Sequence, residues 1–96
     1  MNESQFLELL TGLAKIAKPL HRDTVVITDM DVAFKDVDID SLDTLMLVIY
    51  SCELYGIPEE VGKQCNPVNP RQLWTFIREH KTQEVTDVAQ ALEACA

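Results

Sequence analysis

The sequence predicts an all-α protein: a bundle of four helices, the third of them short, with a C-terminal helical extension. Three observations predict it. Apolar residues recur at three- and four-residue steps through most of the chain. Asn, Gly and Pro fall at the breaks between those stretches. Only one short run, Thr24–Thr28, carries strand-like β-branching.

Residues 4–17 read as a first helix whose apolar face is Phe6, Leu9, Leu10, Leu13, Ile16 and Ala17, started by Asn2 or Ser4 and ended before Pro19. Residues 19–40 form a long connection that tucks apolar side chains among Val25, Val26, Ile27, Val32 and Phe34 onto the bundle. A loop this long in a small domain is usually functional. Residues 41–55 read as a second helix, with Asp40 and Ser41 both suited to its N-cap and Gly56 to its stop. This helix is apolar almost all round, so it is either central in a core or leaves apolar surface for a partner. Pro58, Glu59 and Glu60 open a short third helix over 59–64. Asn69 caps a fourth, with Pro70 at its first position, Leu73, Trp74 and Ile77 inward, and its end near His80. The tail, 83–95, carries an amphipathic stripe of Val85, Val88, Ala89, Leu92 and Cys95, which either packs on the bundle, extends past it or pairs with another chain. The chain therefore divides into residues 1–82, the bundle, and 83–96, the extension.

Composition narrows the partners. With 96 residues the chain forms one domain with a modest core, a size that favours a module acted on by other proteins over an enzyme with an enclosed site. Sixteen acids against eight bases leave a net charge of −8, which excludes nucleic acid and anionic membrane surfaces and favours basic protein surfaces. Cys52, Cys65 and Cys95 form no paired spacing, so neither a disulfide framework nor a zinc site is expected. The N-terminus lacks a basic start before a long apolar run, and no stretch is long enough to span a bilayer; a cytoplasmic monomer is the expectation.

The segment that carries chemistry is Asp36-Val37-Asp38-Ile39-Asp40-Ser41-Leu42-Asp43. Its alternating acids resemble the opening of a calcium loop, but Ser41 and Leu47 stand where that loop needs Gly and Glu. No nucleophile elbow surrounds Ser41, and His21 and His80 lie in no hydrolase motif. Taken alone, Ser41 reads as a helix cap.

Joined to the Tyr55–Glu60 stretch, the segment resembles the attachment motif of the acyl carrier protein family. There Asp-Ser-Leu opens the second helix, and an aromatic residue, a turn and an Ile-Pro-acid run come after it, as Tyr55-Gly56-Ile57-Pro58-Glu59-Glu60 do here. The resemblance covers roughly residues 4–80 and implies an acyl-carrier-like bundle. It implies that Ser41 bears a covalent 4'-phosphopantetheine arm, placed there from coenzyme A by a phosphopantetheinyl transferase, whose metal the family associates with the residue at Asp40. The arm would carry acyl intermediates as thioesters for loading and processing enzymes, in fatty-acid or specialised lipid or polyketide-type biosynthesis, and the carrier itself would catalyse nothing. It further implies that partner enzymes dock on the second helix, here Leu42, Asp43, Met46, Ile49 and Glu53, with Glu59 and Glu60 beyond. The cargo would lie against apolar residues such as Leu47, Val48 and Ile77. Fatty-acid carriers typically place an acid where Met46 stands and more acids near Cys52, and many end soon after the fourth helix; these departures point to a specialised member. A peptidyl or aryl carrier shares the motif, and a helical interaction module without a prosthetic group is the reading from a different class.

Overall fold

The computed structural model describes residues 2–17 and 26–95. Pro19, His21, Thr24 and Val25 lie outside the described residues, and with them the expected end of the first helix. Five α-helices and one short 3-10 turn make up the described chain, with no strand among those residues.

Helix α1 spans Glu3–Ala17. Of the two candidate caps the structure uses Asn2. Its side chain accepts the Gln5 N–H at 2.8 Å while Gln5 Oε1 accepts the Asn2 N–H at 3.0 Å, a reciprocal box that satisfies two donors. Phe6, Leu9, Leu10, Leu13 and Ala14 are buried, and α1 packs against α2, α4 and α5.

The connection after α1 is pinned to the bundle at two places. Thr11 Oγ1 accepts the Ile27 N–H at 3.0 Å and donates to the Ile27 carbonyl at 3.2 Å, which clamps Ile27 into the core. Farther on, Arg71 N–H donates to the Met30 carbonyl and Phe34 N–H to the Val68 carbonyl, both at 2.8 Å. Ile27, Met30, Phe34 and Ile39 are buried as this strapping requires; Val26, expected to tuck inward, is turned out by its neighbour's burial. Phe34–Val37 form the 3-10 turn, and Asp38 leaves it with a φ of 65°. Asp and Asn tolerate that left-handed region better than most residues.

Helix α2 spans Ser41–Leu54, with Asp40 as its cap and Ser41 as its first residue. Gly56, at a φ of 65°, turns the chain so that Ile57 N–H reaches the Cys52 carbonyl at 2.9 Å. The carbonyls at the end of α2 and in the turn after it are taken by the segment after α4: Gln83 Nε2 donates to Leu54 O at 2.7 Å, Thr82 N–H to Tyr55 O at 2.9 Å, and Thr82 Oγ1 to Gly56 O at 2.6 Å. Helix α3 is Glu59–Gly62, ending at Gly62 rather than at residue 64 as the sequence suggests. Gly62 is required where it stands, because a Cβ there would lie 2.8 Å from Cys52 Sγ. Helix α4 spans Pro70–His80, with Asn69 Oδ1 accepting Gln72 N–H at 2.9 Å. Leu73 and Ile77 are buried and Trp74 packs on Phe6 with ring centroids 4.4 Å apart.

Helix α5 is Val88–Cys95, set against α1. The expected helix over 83–95 is thus corrected. Residues 83–87 are not helical, because Thr82 and Gln83 are held by α2, and Asp87 caps the helix instead, accepting Gln90 N–H at 3.1 Å. The start at Val88 changes the buried face: Ala91 is buried and Ala89 exposed, while Val85 is buried from the segment before the helix. Leu92 lies over Gly12, where a Cβ would meet its methyl groups at 2.5 Å, so α1 and α5 approach closely through that glycine.

This packing makes two outcomes measurable. Ser51 is fully buried on α2 and its hydroxyl has no hydrogen-bond partner among the described residues. Ser51→Ala removes a desolvated polar atom with little change in volume, and a gain of about 1 kcal/mol in chemical denaturation is expected. The second outcome concerns the Arg71–Asp31 pair, with contacts of 2.6 and 3.1 Å. Arg71 holds the Asp31 carboxyl below its ordinary value of 3.8, chiefly through this hydrogen bond. Because the folded pKa is depressed, the pair stabilises the fold above that ordinary value, and the contribution is lost as the pH falls through the folded pKa. Asp31→Asn should lower the urea midpoint at about pH 6, and the difference from the parent should vanish in acid below the carboxylate range.

Candidate functional site

The first turn of α2 is built by two aspartates bonded to each other's backbone. Asp40 Oδ1 accepts the Asp43 N–H at 2.9 Å, and Asp43 Oδ2 accepts the Asp40 N–H at 3.3 Å. Thr44 adds its hydroxyl to the Asp40 carbonyl at 2.8 Å. Asp-x-x-Asp in this arrangement is a capping box with the shorter acid in place of Glu. Ser41 follows Asp40 and is exposed, so the cap is Asp40's role and Ser41 Oγ is left to the surface. Asp43, expected on an acidic partner-facing surface, is only 8 % exposed and turned to the box.

Ser41 opens onto a cavity of about 780 Å³. Its walls are the 3-10 turn at Phe34 and Lys35, one side of α2 from exposed Leu45 through Thr44 to buried Val48, and the stretch from Lys63 to Val68 after α3. A second cavity of about 540 Å³ lies between α2 and α3, lined by Ile49, Cys52, Glu53, Ile57 and Glu59 among others. Leu45, Val48 and Lys63 belong to both, so the two form one groove running from Ser41 along α2. The groove is predominantly apolar at its far end, through Val48, Ile49, Cys52 and Ile57.

The residues singled out in the sequence divide accordingly. Ser41 and Asp40 share the first cavity; Ile49, Glu53 and Glu59 share the second. Leu42 is on the open surface, 66 % exposed, in one stripe with Leu45 at 51 % and Ile49 at 39 %. Met46 is half-buried, and Glu60 is exposed on α3. Leu47 and Ile77, expected to touch cargo, are buried in the core and line neither cavity beside Ser41; Val48 does line it. Leu45 and Lys63 were not anticipated. Leu45 had a signal, standing three residues from Leu42 and four from Ile49, whereas Lys63 enters the site only through the way α3 packs on α2.

Burial pushes all three thiols up. Cys65 reaches about 11, from desolvation and then the nearby Cys52; Cys52 and Cys95 rise for the same first reason, with Glu53 adding to Cys95. At neutral pH the groove's sulfurs are therefore protonated and behave as small apolar groups. Among the described residues no group of three metal-ligating side chains comes together, and no helix is long and apolar enough to cross a membrane.

The capping box yields a prediction at the site itself. Asp40→Ala removes the acceptor for the Asp43 N–H and should cost about 1 kcal/mol in thermal or chemical unfolding, while Asp40→Asn, which keeps an acceptor oxygen, should recover most of it.

Comparison of the chain with known protein families, with curated proteins and with solved structures finds no match.

Proposed function

We propose that this chain is an acyl carrier of the acyl-carrier-like bundle type, a non-catalytic module that holds a 4'-phosphopantetheine arm on Ser41. One observation carries the reading. An exposed serine, fixed as the first residue of an apolar helix by the aspartate before it, opens onto a groove that becomes apolar with distance from the hydroxyl. A group attached to Ser41 Oγ has a path along α2 past Leu45 and Val48 to the space beside Cys52 and Ile57. When bound, the arm supplies a terminal thiol that carries an acyl group as a thioester.

The chain's own residues then have separable duties. Asp40 sets the helix start and so the position of Ser41. Val48, Cys52 and Ile57 offer an apolar lining against which an aliphatic cargo is withdrawn from water. The protonated thiols of Cys52 and Cys65 fit this lining, because a thiolate there would attack a passing thioester. Leu42, Leu45 and Ile49 form the apolar stripe and Glu53, Glu59 and Glu60 the acidic rim that a loading or processing enzyme with a basic surface would meet. Phosphopantetheinyl transferase is the first of those partners. Met46 and the packed tail favour a specialised lipid or polyketide-type pathway, with the protein acting as a cytoplasmic monomer.

The test is a mass measurement. Incubation with coenzyme A and a broad-specificity phosphopantetheinyl transferase should add one arm to the chain, and Ser41→Ala should add none. A folded parent that gains no mass, or a Ser41→Ala variant that still gains it, overturns the proposal.

A further inference from the structure

The charge distribution around Ser41 runs against that of the chain. Residues 29–60 hold nine acids and a single base, Lys35, and the next base along the chain is Lys63. These two lysines both line the cavity at Ser41, one from the 3-10 turn and one from the position just after α3. Among the described residues the only acid in that lining is Asp40, whose carboxylate already accepts the Asp43 N–H. In a chain of net charge −8 the walls of this one cavity are thus locally cationic.

Among the described residues neither lysine is held in a tight ion pair. Lys35 makes no ion pair among the described residues. Lys63 stands 4.0 Å from Glu59, with both side chains largely in solvent, a pairing of the kind that contributes little and leaves the ammonium available. The remaining lining is neutral at this end, with Asn66 as a further donor. Flexible lysine stems carrying a compact charge suit an oxyanion whose position is set by something else, here by a bond to Ser41.

We propose that Lys35 and Lys63 form the subsite for the phosphodiester of the arm, an assignment that rests on the carrier reading. The arrangement removes a conflict in that reading. A phosphate joined to Ser41 adds a negative charge beside Asp40 and close in sequence to Asp36 and Asp38, and repulsion alone would expel it from the groove. The two ammonium groups draw it inward and thereby direct the rest of the arm toward Leu45 and Val48.

The experiment compares thermal unfolding of the chain with and without the arm, in the parent and in a Lys35→Gln, Lys63→Gln double variant. Both lysines are exposed, so the variant is expected to fold. At low salt the arm should leave the parent's Tm unchanged or higher and should lower the variant's by about 2–4 °C. The difference should close at about 0.5 M salt, where exposed charges are screened. Equal shifts in parent and variant, with the arm attached to both, overturn the subsite and leave the carrier reading standing. Failure of both folded proteins to accept the arm overturns the carrier reading and the subsite with it. A further sample adds inorganic phosphate to the arm-free parent; a lysine-dependent rise as large as the effect of the arm would assign the lysines to free anions and overturn the proposal.

Discussion

The reciprocal bonding of Asp40 and Asp43 sets where α2 begins and makes Ser41 its first residue. A helix that is apolar nearly all round has no strong moment of its own to tell it which face to bury. Starting at Ser41, it sends Leu47, Val48, Ser51 and Cys52 inward and leaves Leu42, Leu45 and Ile49 on the outside. A start one residue later would put Ser41 at the cap position, outside the helix proper. The serine's place at the head of the helix is therefore a consequence of these local hydrogen bonds.

The position of the cap depends in turn on the connection before it. Residues 26–40 run without regular structure until the 3-10 turn, and they hold their place through Thr11 on α1 and through backbone bonds to Val68 and Arg71 near the start of α4. Phe34 and Ile39, buried on either side of the turn, carry the chain into α2 at a fixed height. The far end of α2 is held too, because Gln83 bonds the Leu54 carbonyl and Thr82 the Tyr55 and Gly56 carbonyls just beyond it. Both ends of the helix that carries Ser41 are thus tied to distant parts of the sequence.

That dependence explains which features are legible in the sequence. Helix α4 can be read to the residue, since Asn69 and Pro70 are local start signals and Leu73 and Ile77 a local stripe. The start of α2 is nearly as plain, although Asp40 and Ser41 both suit the cap and only the structure chooses between them. The 3-10 turn at Phe34 and the non-helical segment at 83–87 are not legible, because each is shaped by bonds to residues dozens of positions away. At the site, Ser41 declares itself through its neighbours in sequence. The groove does not, since one wall is the stretch after α3, and nothing in the order of residues says that Lys63 shares a wall with Leu45.

The distribution of exposed apolar surface bears on why α2 is so oily. Among the described residues the large apolar side chains left in water are Val26, Leu42, Leu45, Ile49 and Val68. All but Val26 lie on α2 or on the groove wall at Val68, around the path that leads from Ser41. Stability of the isolated chain does not call for them, because a polar residue at Leu42 or Leu45 would avoid unfavourable hydration and keep the helix. Single exposed leucines are ordinary, but a stripe of them on one helix, beside an apolar groove whose thiols are held in their neutral form, agrees with the proposed reading, in which another molecule would complete part of the apolar burial. In the proposed carrier the same helix would serve two interiors, its own core through Leu47 and a shared one through Leu45, and its near-uniform apolarity would allow it to face both.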